Sequence, residues 1–125
     1  MTSLNINIGE AELEIMKVLW KAGEPVNTQY INEAVEEKGW KRTTISTFLT
    51  RLVDKGAVSS EKCGKLYYYT PLISQKDYRK SQTKNLISSL YGGSIKDFAV
   101  SLFEEQAISD EELKELKAIF VDKEV

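Results

Sequence analysis

The sequence predicts a mainly α chain with a small antiparallel β wing: a winged helix-turn-helix followed by a three-helix dimerisation region. Three observations predict it. Helical apolar periodicity recurs in three short segments before residue 56. Two extended segments rich in β-branched and aromatic residues then flank a Gly-containing tip. Beyond residue 73, three segments each open on a Ser with an acidic residue three positions on, the pattern of a capped helix start. At 125 residues, 42% of them hydrophobic, the chain can enclose one core and a smaller second lobe.

The first helix is expected from Gly9 to Ala22, with Leu13, Met16, Val18, Leu19 and Trp20 as a broad apolar face and Gly23 as its stop. Pro25 has no amide proton and disfavours helix at Glu24, so Glu24 to Val26 is expected as a turn or a short extended piece. Asn27 or Thr28 then caps a second helix that buries Tyr30, Ile31, Ala34 and Val35 and exits at Gly39.

The third helix is carried by KRTTISTFLTRLVDKG, Lys41 to Gly56, with Thr43 or Thr44 near its N-cap and Gly56 just past its C-terminus. Ile45, Phe48, Leu49, Leu52 and Val53 recur at helical spacing and form one apolar stripe. The opposite face carries Thr43, Thr44, Ser46, Thr47, Thr50 and Arg51, flanked by Lys41, Arg42 and Lys55. A plain solvated face favours Glu and Lys, because Ser and Thr compete for backbone hydrogen bonds and lower helix propensity. Short hydroxyls with an Arg suit instead a helix that must approach phosphates and base edges. Three short helices, the last two joined by a tight connection, have the layout of a helix-turn-helix.

AVSSEK and LYYYTP are the expected wing strands, with Cys63-Gly64-Lys65 as the tip. A two-stranded hairpin is marginal alone, so Tyr67, Tyr68 and Tyr69 are expected to lean on the helices rather than stack on bases. Lys62 and Lys65 flank the tip, where a wing meets a phosphate or a minor groove. After Pro71 the composition changes, dividing the chain into a winged-helix DNA-binding domain, 1–72, and a helical dimerisation domain, 73–125. Ser74 with Asp77 opens a helix to about Leu90, apolar at Leu86, Ile87 and Leu90, and Gly92-Gly93 breaks it. Ser94 with Asp97 opens another, with Ile95, Phe98, Ala99, Leu102 and Phe103 on one side. Ser109 with Glu112 opens the last, followed by Leu113, Leu116, Ile119 and Phe120. Three such helices enclose little core alone, and pairing with a second copy buries their stripes.

The net charge of −2 conceals a strong segmental pattern. Residues 1–37 carry two basic and seven acidic groups, whereas residues 38–71 carry seven basic and two acidic. Residues 72–103 are again basic, and residues 104–125, with three basic and eight acidic groups, are acidic. Positive charge concentrated on the third helix and the wing is the footprint of phosphate attraction. The chain has no His and a single Cys, Cys63, which leaves no intramolecular disulfide and no multi-cysteine zinc site. No metal site, cofactor motif, nucleophile paired with a base, or enzymatic activity is expected. No apolar run approaches the roughly 20 residues that cross a bilayer, and no secretory signal opens the chain, so a cytoplasmic location without membrane contact is expected.

With both halves in view, the chain resembles the penicillinase-repressor family of bacterial winged-helix regulators, the BlaI/MecI type. The likeness rests on AELEIMKVLWKAG, WKRTTISTFLTRLVDKGAV, KLYYYTP and LYGGSIKDFAVSLFE, and covers nearly the whole chain. It implies a homodimer that binds a palindromic operator in double-stranded DNA through two winged-helix domains and blocks transcription, with the C-terminal helices forming the dimer. Carried over by position, the family's base and phosphate contacts fall on Thr43, Thr44, Ser46, Thr47 and Arg51, supported by the wing. Two departures stand out. Penicillin-responsive members are inactivated by a regulatory protease that cuts an Asn-Phe bond, and the matching pair here is Ser101-Leu102. Copper-responsive members carry paired cysteines near the C-terminus, and no Cys occurs after Cys63.

Some residues have competing readings. Arg51 can contact DNA or pair with Asp54 one helical turn away. Cys63 can be a plain turn residue or a redox switch. The competing function is a winged-helix module that binds an acidic protein partner through the same basic patch.

Overall fold

The structure, a computed structural model, describes residues 6–105 and 107–123. Its elements in chain order are α1 (Glu10–Ala22), β1 (Val26–Asn27), α2 (Thr28–Ala34), a 3-10 turn (Glu36–Lys38), α3 (Arg42–Asp54), β2 (Val58–Cys63), β3 (Leu66–Pro71), α4 (Gln75–Tyr91), α5 (Ile95–Glu104) and α6 (Asp110–Lys123). They divide into two compact units, Met1–Ser81 and Gln82–Val125.

In the first unit, α1 closes on Gly23 in the left-handed conformation and buries Ile15, Met16 and Leu19 completely. Asn27 caps α2, its side chain accepting from the Tyr30 amide at 2.9 Å. The helix is only seven residues long, so its inner side reduces to Ile31, with Val35 just beyond its end. Tyr30 and Ala34, expected inside, are exposed because the chain turns into the 3-10 segment before a second inward-facing turn can form.

The short extended piece at Val26–Asn27 is a third strand, giving the sheet order β1-β3-β2. Val26 pairs antiparallel with Tyr69, and Asn27 with Tyr68. β2 and β3 pair from Val58↔Pro71 to Cys63↔Leu66, so the wing turn is Gly64-Lys65 and Cys63 belongs to the ladder. Gly64 at φ +67 supplies the positive φ that tight hairpin turns require.

The core joins Ile15, Met16 and Leu19 of α1 to Ile31, Val35, Ile45, Leu49, Leu52, Ala57 and Val58. It also takes in Ile73 and Tyr78 beyond the wing. Trp20 Nε1 donates to the Ile73 carbonyl at 2.9 Å, and its ring lies 5.8 Å from that of Tyr78. The start of α4 is thereby held to the first unit, and burial raises the Tyr78 hydroxyl above its ordinary pKa.

In the second unit, Ser94 and Ser109 accept from the amides of Asp97 and Glu112, both at 3.1 Å, and so cap α5 and α6. Tyr91 stacks edge-on against Phe98 with ring centroids 5.4 Å apart. Much of the apolar surface of this unit is open: Leu90, Ile95, Ile119 and Phe120 are each more than half exposed. Among the described residues no helix is long and apolar enough to cross a membrane.

Candidate nucleic-acid interface

α3 is held by its apolar stripe. Ile45, Leu49 and Leu52 are at most 2% exposed, and Phe48 meets Trp40 edge-to-face at 5.2 Å. Its C-terminus is fixed as firmly. Gly56 takes φ +81, a conformation that L side chains resist, and the Ala57 amide then returns to the Leu52 carbonyl at 3.0 Å. Lys55 folds back across the core edge, donating to the Asn7 carbonyl at 2.7 Å and to the Glu12 carboxylate. Glu12, only 5% exposed, also accepts from the Gly9 amide at 3.0 Å at the start of α1. Burial pushes the Glu12 carboxyl up, but the Lys55 and Gly9 hydrogen bonds, with the charges of Lys55 and Arg51, outweigh it and hold its pKa below the ordinary value. Lys55 is therefore a structural lysine rather than part of the outer basic face.

That outer face is what the buried stripe presents to solvent. Thr43, Ser46, Thr47, Thr50 and Arg51 are exposed, and Thr44 is half covered at the margin. Thr47 Oγ1 donates to the Thr43 carbonyl and Thr50 Oγ1 to the Ser46 carbonyl, each at 3.0 Å. Their hydroxyl protons are committed to the helix, so they offer lone pairs and methyl groups outward. Base amino groups and thymine methyls match those features. Arg51 forms no ion pair with Asp54, and its charge lies near enough to Glu12 to help lower that carboxyl.

The helix starts earlier than its threonines suggest: Arg42 is its first residue, and exposed Lys41 sits at the N-cap without a side-chain cap. The Lys41 carbonyl accepts from the Ile45 amide at 3.0 Å as the first bond of the helix, and no side chain caps the amides that precede it. The result is an uncapped helix N-terminus beside two cations, an arrangement that favours an anion.

On the wing, exposed Lys62 holds its ammonium 5.8 Å from the centre of the Tyr67 ring, and exposed Lys65 lies in the turn. Strand alternation separates the tyrosine run: Tyr67 and Tyr69 line a cleft of about 300 Å³ with Leu49 and Val53 of α3, while Tyr68 lines a different groove. The run thus faces two surfaces, not one.

The expected dimerisation residues lie in the other unit or at its edge of α4. Leu86, Leu90, Ile95, Phe103, Leu116, Ile119 and Phe120 are exposed, and Phe98, Leu102 and Leu113 are half-buried. The Ser101–Leu102 bond lies inside α5, where Ser101 Oγ donates to the Phe98 carbonyl at 2.7 Å and is 3.0 Å from the Tyr91 hydroxyl.

The penicillinase repressor family profile matches residues 8–122, from the start of the described core to the last turn of α6. The chain belongs to the penicillinase-repressor family. It is 35% identical to the penicillinase repressor of Bacillus licheniformis over 112 residues, covering 90% of this chain and 88% of that one. It is 29% identical to the methicillin resistance regulatory protein MecI of Staphylococcus aureus over 123 residues, 98% of this chain and 100% of the other. Among solved structures, it is similar to the DNA-binding domain of the repressor BlaI, with TM-score 0.54 and 40% identity across 62% of this chain and 94% of that one. It is also similar to monomeric Bacillus licheniformis BlaI in complex with the blaP half-operator, with TM-score 0.50 and 41% identity across 58% of this chain and 88% of that one. Winged-helix architecture in this penicillinase-repressor relative thus follows from the sequence and from independent structures. Neither the buried Glu12–Lys55 pair nor the uncapped start of α3 was visible as apolar periodicity. Only the position of Glu12 three residues after Gly9 hinted at its capping role.

Proposed function

We propose that this chain is a cytoplasmic, non-enzymatic transcriptional repressor that binds a palindromic operator in double-stranded DNA as a homodimer. The observation that carries this reading is the outer face of α3, where hydroxyls and Arg51, which has no ion pair among the described residues, stand on a helix whose other side is locked in the core. A rigidly seated helix with that surface suits a major groove. Arg51 reaches a base edge, Thr43, Thr44, Ser46 and Thr47 contact bases and adjoining phosphates, and Lys41 and Arg42 neutralise phosphate at the helix N-terminus. Lys62 and Lys65 do the same from the wing. The BlaI relative bound to a half-operator supports this placement by likeness.

In the same reading the first unit forms the DNA-reading domain, extended past the expected residue 72 because Ile73 and Tyr78 pack in its core, and the second joins two copies through the exposed apolar residues of α4, α5 and α6. A protease acting at Ser101–Leu102 would first have to unwind α5, since an extended backbone is what a protease cleft accepts and this bond is helical.

Selection of bound sequences from random duplex DNA tests specificity and symmetry together. The expected product is a two-fold symmetric consensus, bound with log affinity falling by about 0.9 per neutralised phosphate for each decade of salt. An unstructured pool with no salt dependence would instead point to a protein partner for the basic face.

A further inference from the structure

Tyr68 faces away from α3, and its surroundings differ chemically from everything on the DNA-reading side. It borders a solvent-open groove of about 410 Å³, floored by Pro25 and Val26 and flanked by Tyr30, Glu24 and Glu33. The volume lies within the range of small-molecule sites. Tyr30 leaves 47% of its surface in solvent, a large ring retained on a helix that does not bury it.

Carboxylates on the same lobe are of two kinds among the described residues, paired and unpaired. Glu12 is matched by Lys55, and Glu14 by Lys17 at 3.0 Å and Lys38 at 3.5 Å. Glu24 and Glu33 form no ion pair among the described residues, and Glu33 accepts only from Gln29 Nε2, at 3.3 Å. The groove therefore combines two aromatic rings, two carboxylates without a cation and an apolar floor. Rings attract a cation through their negative faces, carboxylates accept ammonium hydrogen bonds, and the apolar floor suits a methylene chain. An anion is repelled. A metal ion would lack donors, since no three His, Cys, Asp or Glu side chains come together among the described residues.

We propose that this groove binds an organic cation of the alkyl-diamine or polyamine class. It joins α2 to β3, so an occupant touches the helix-turn-helix and the central strand at once. The site stands independently of the DNA-binding reading, and its test contains no DNA.

The test is an amide-resolved NMR titration of the full chain with cadaverine, beside neutral pentanediol of the same carbon length. The expected result is a saturable shift centred on Glu24 to Glu33 and Tyr68, weakened about tenfold or more in an E24Q/E33Q variant. Both positions are exposed, and the spectrum itself reports that the variant is folded. A Tyr68→Leu variant tests the aromatic contribution separately and should weaken binding as well. Equal shifts with pentanediol, a response that does not saturate, saturation centred elsewhere, or unchanged binding by E24Q/E33Q would each overturn the proposal.

Discussion

At Arg51 two roles competed, an ion pair with Asp54 and a contact with a base edge, and the two predict different consequences for its removal. With no Arg51–Asp54 pair in the folded chain, Arg51→Ala should lower operator affinity by about 1–3 kcal/mol. It should leave the unfolding free energy within about 0.5 kcal/mol of the parent, as exposed substitutions usually do. Fluorescence anisotropy on labelled operator and urea unfolding measure the two quantities, and loss of stability without loss of affinity would restore the structural role. Glu12 makes the opposite case, a charged residue whose work is internal. Its folded pKa lies below the ordinary 4.5. Folding therefore favours the deprotonated form, and the contribution is fully present above about pH 4.5 and lost as pH falls through the folded value. Glu12→Gln should cost about 1–2 kcal/mol at neutral pH, a figure reduced for the water that reaches Lys55. The gap between parent and variant should close on acidification below pH 4.5, as followed by urea unfolding across pH. Glu14, lowered mainly by its Lys17 hydrogen bond, titrates in the same direction and remains in both proteins.

The elements differ in how far the sequence announced them. α1 and α3 were legible because each repeats an apolar residue at helical spacing over 13 positions and ends near a glycine with positive φ. The three Ser-acid starts were equally direct, since a cap is a local interaction and its partners lie within one turn. What failed to show were contacts between distant positions. β1 has two residues, too few for any alternation, and exists only because β3 offers a partner edge. Tyr78 lies in the polar stretch QKDYRKSQ, and nothing local marks it as core; its burial depends on Trp20, far back in α1. This yields a test at the level of α4. Trp20→Phe keeps an aromatic ring against Tyr78 but removes the donor to the Ile73 carbonyl, and should cost about 1 kcal/mol. Hydrogen exchange should quicken in the first turns of α4, while affinity for a half-operator stays at the parent value, because the outer face of α3 does not depend on that bond. A loss of half-site affinity equal to that of Arg51→Ala would mean that α4 positions the reading helix directly.

Across the whole chain, charge and apolar surface are assigned to different places. The basic excess of residues 38–71 lies between an acidic N-terminal segment and an acidic C-terminal one, so the total of −2 conceals a local excess of positive charge on α3 and the wing. The exposed apolar residues concentrate elsewhere, on α4, α5 and α6, where Leu90, Ile95, Phe103, Ile119 and Phe120 are each at least half in solvent. That much exposed apolar surface marks an interaction site, and the proposed second copy would cover it. One reading head on half an operator binds weakly, whereas a joined second head meets its half-site at an effective concentration set by the connection. A Leu116→Glu, Phe120→Glu double variant places two charges on the exposed stripe of α6 without entering the core of the first unit. It should sediment as a monomer and bind a half-operator as tightly as the parent, which also shows that the reading head is folded. Its affinity for the full palindrome should fall by about a hundredfold to ten-thousandfold, the gain that linkage of two sites provides. If the variant still sedimented as a dimer, the α6 stripe would not be the interface. If it became monomeric and kept full operator affinity, the two heads would not be coupled, and the symmetry of the operator would need another source.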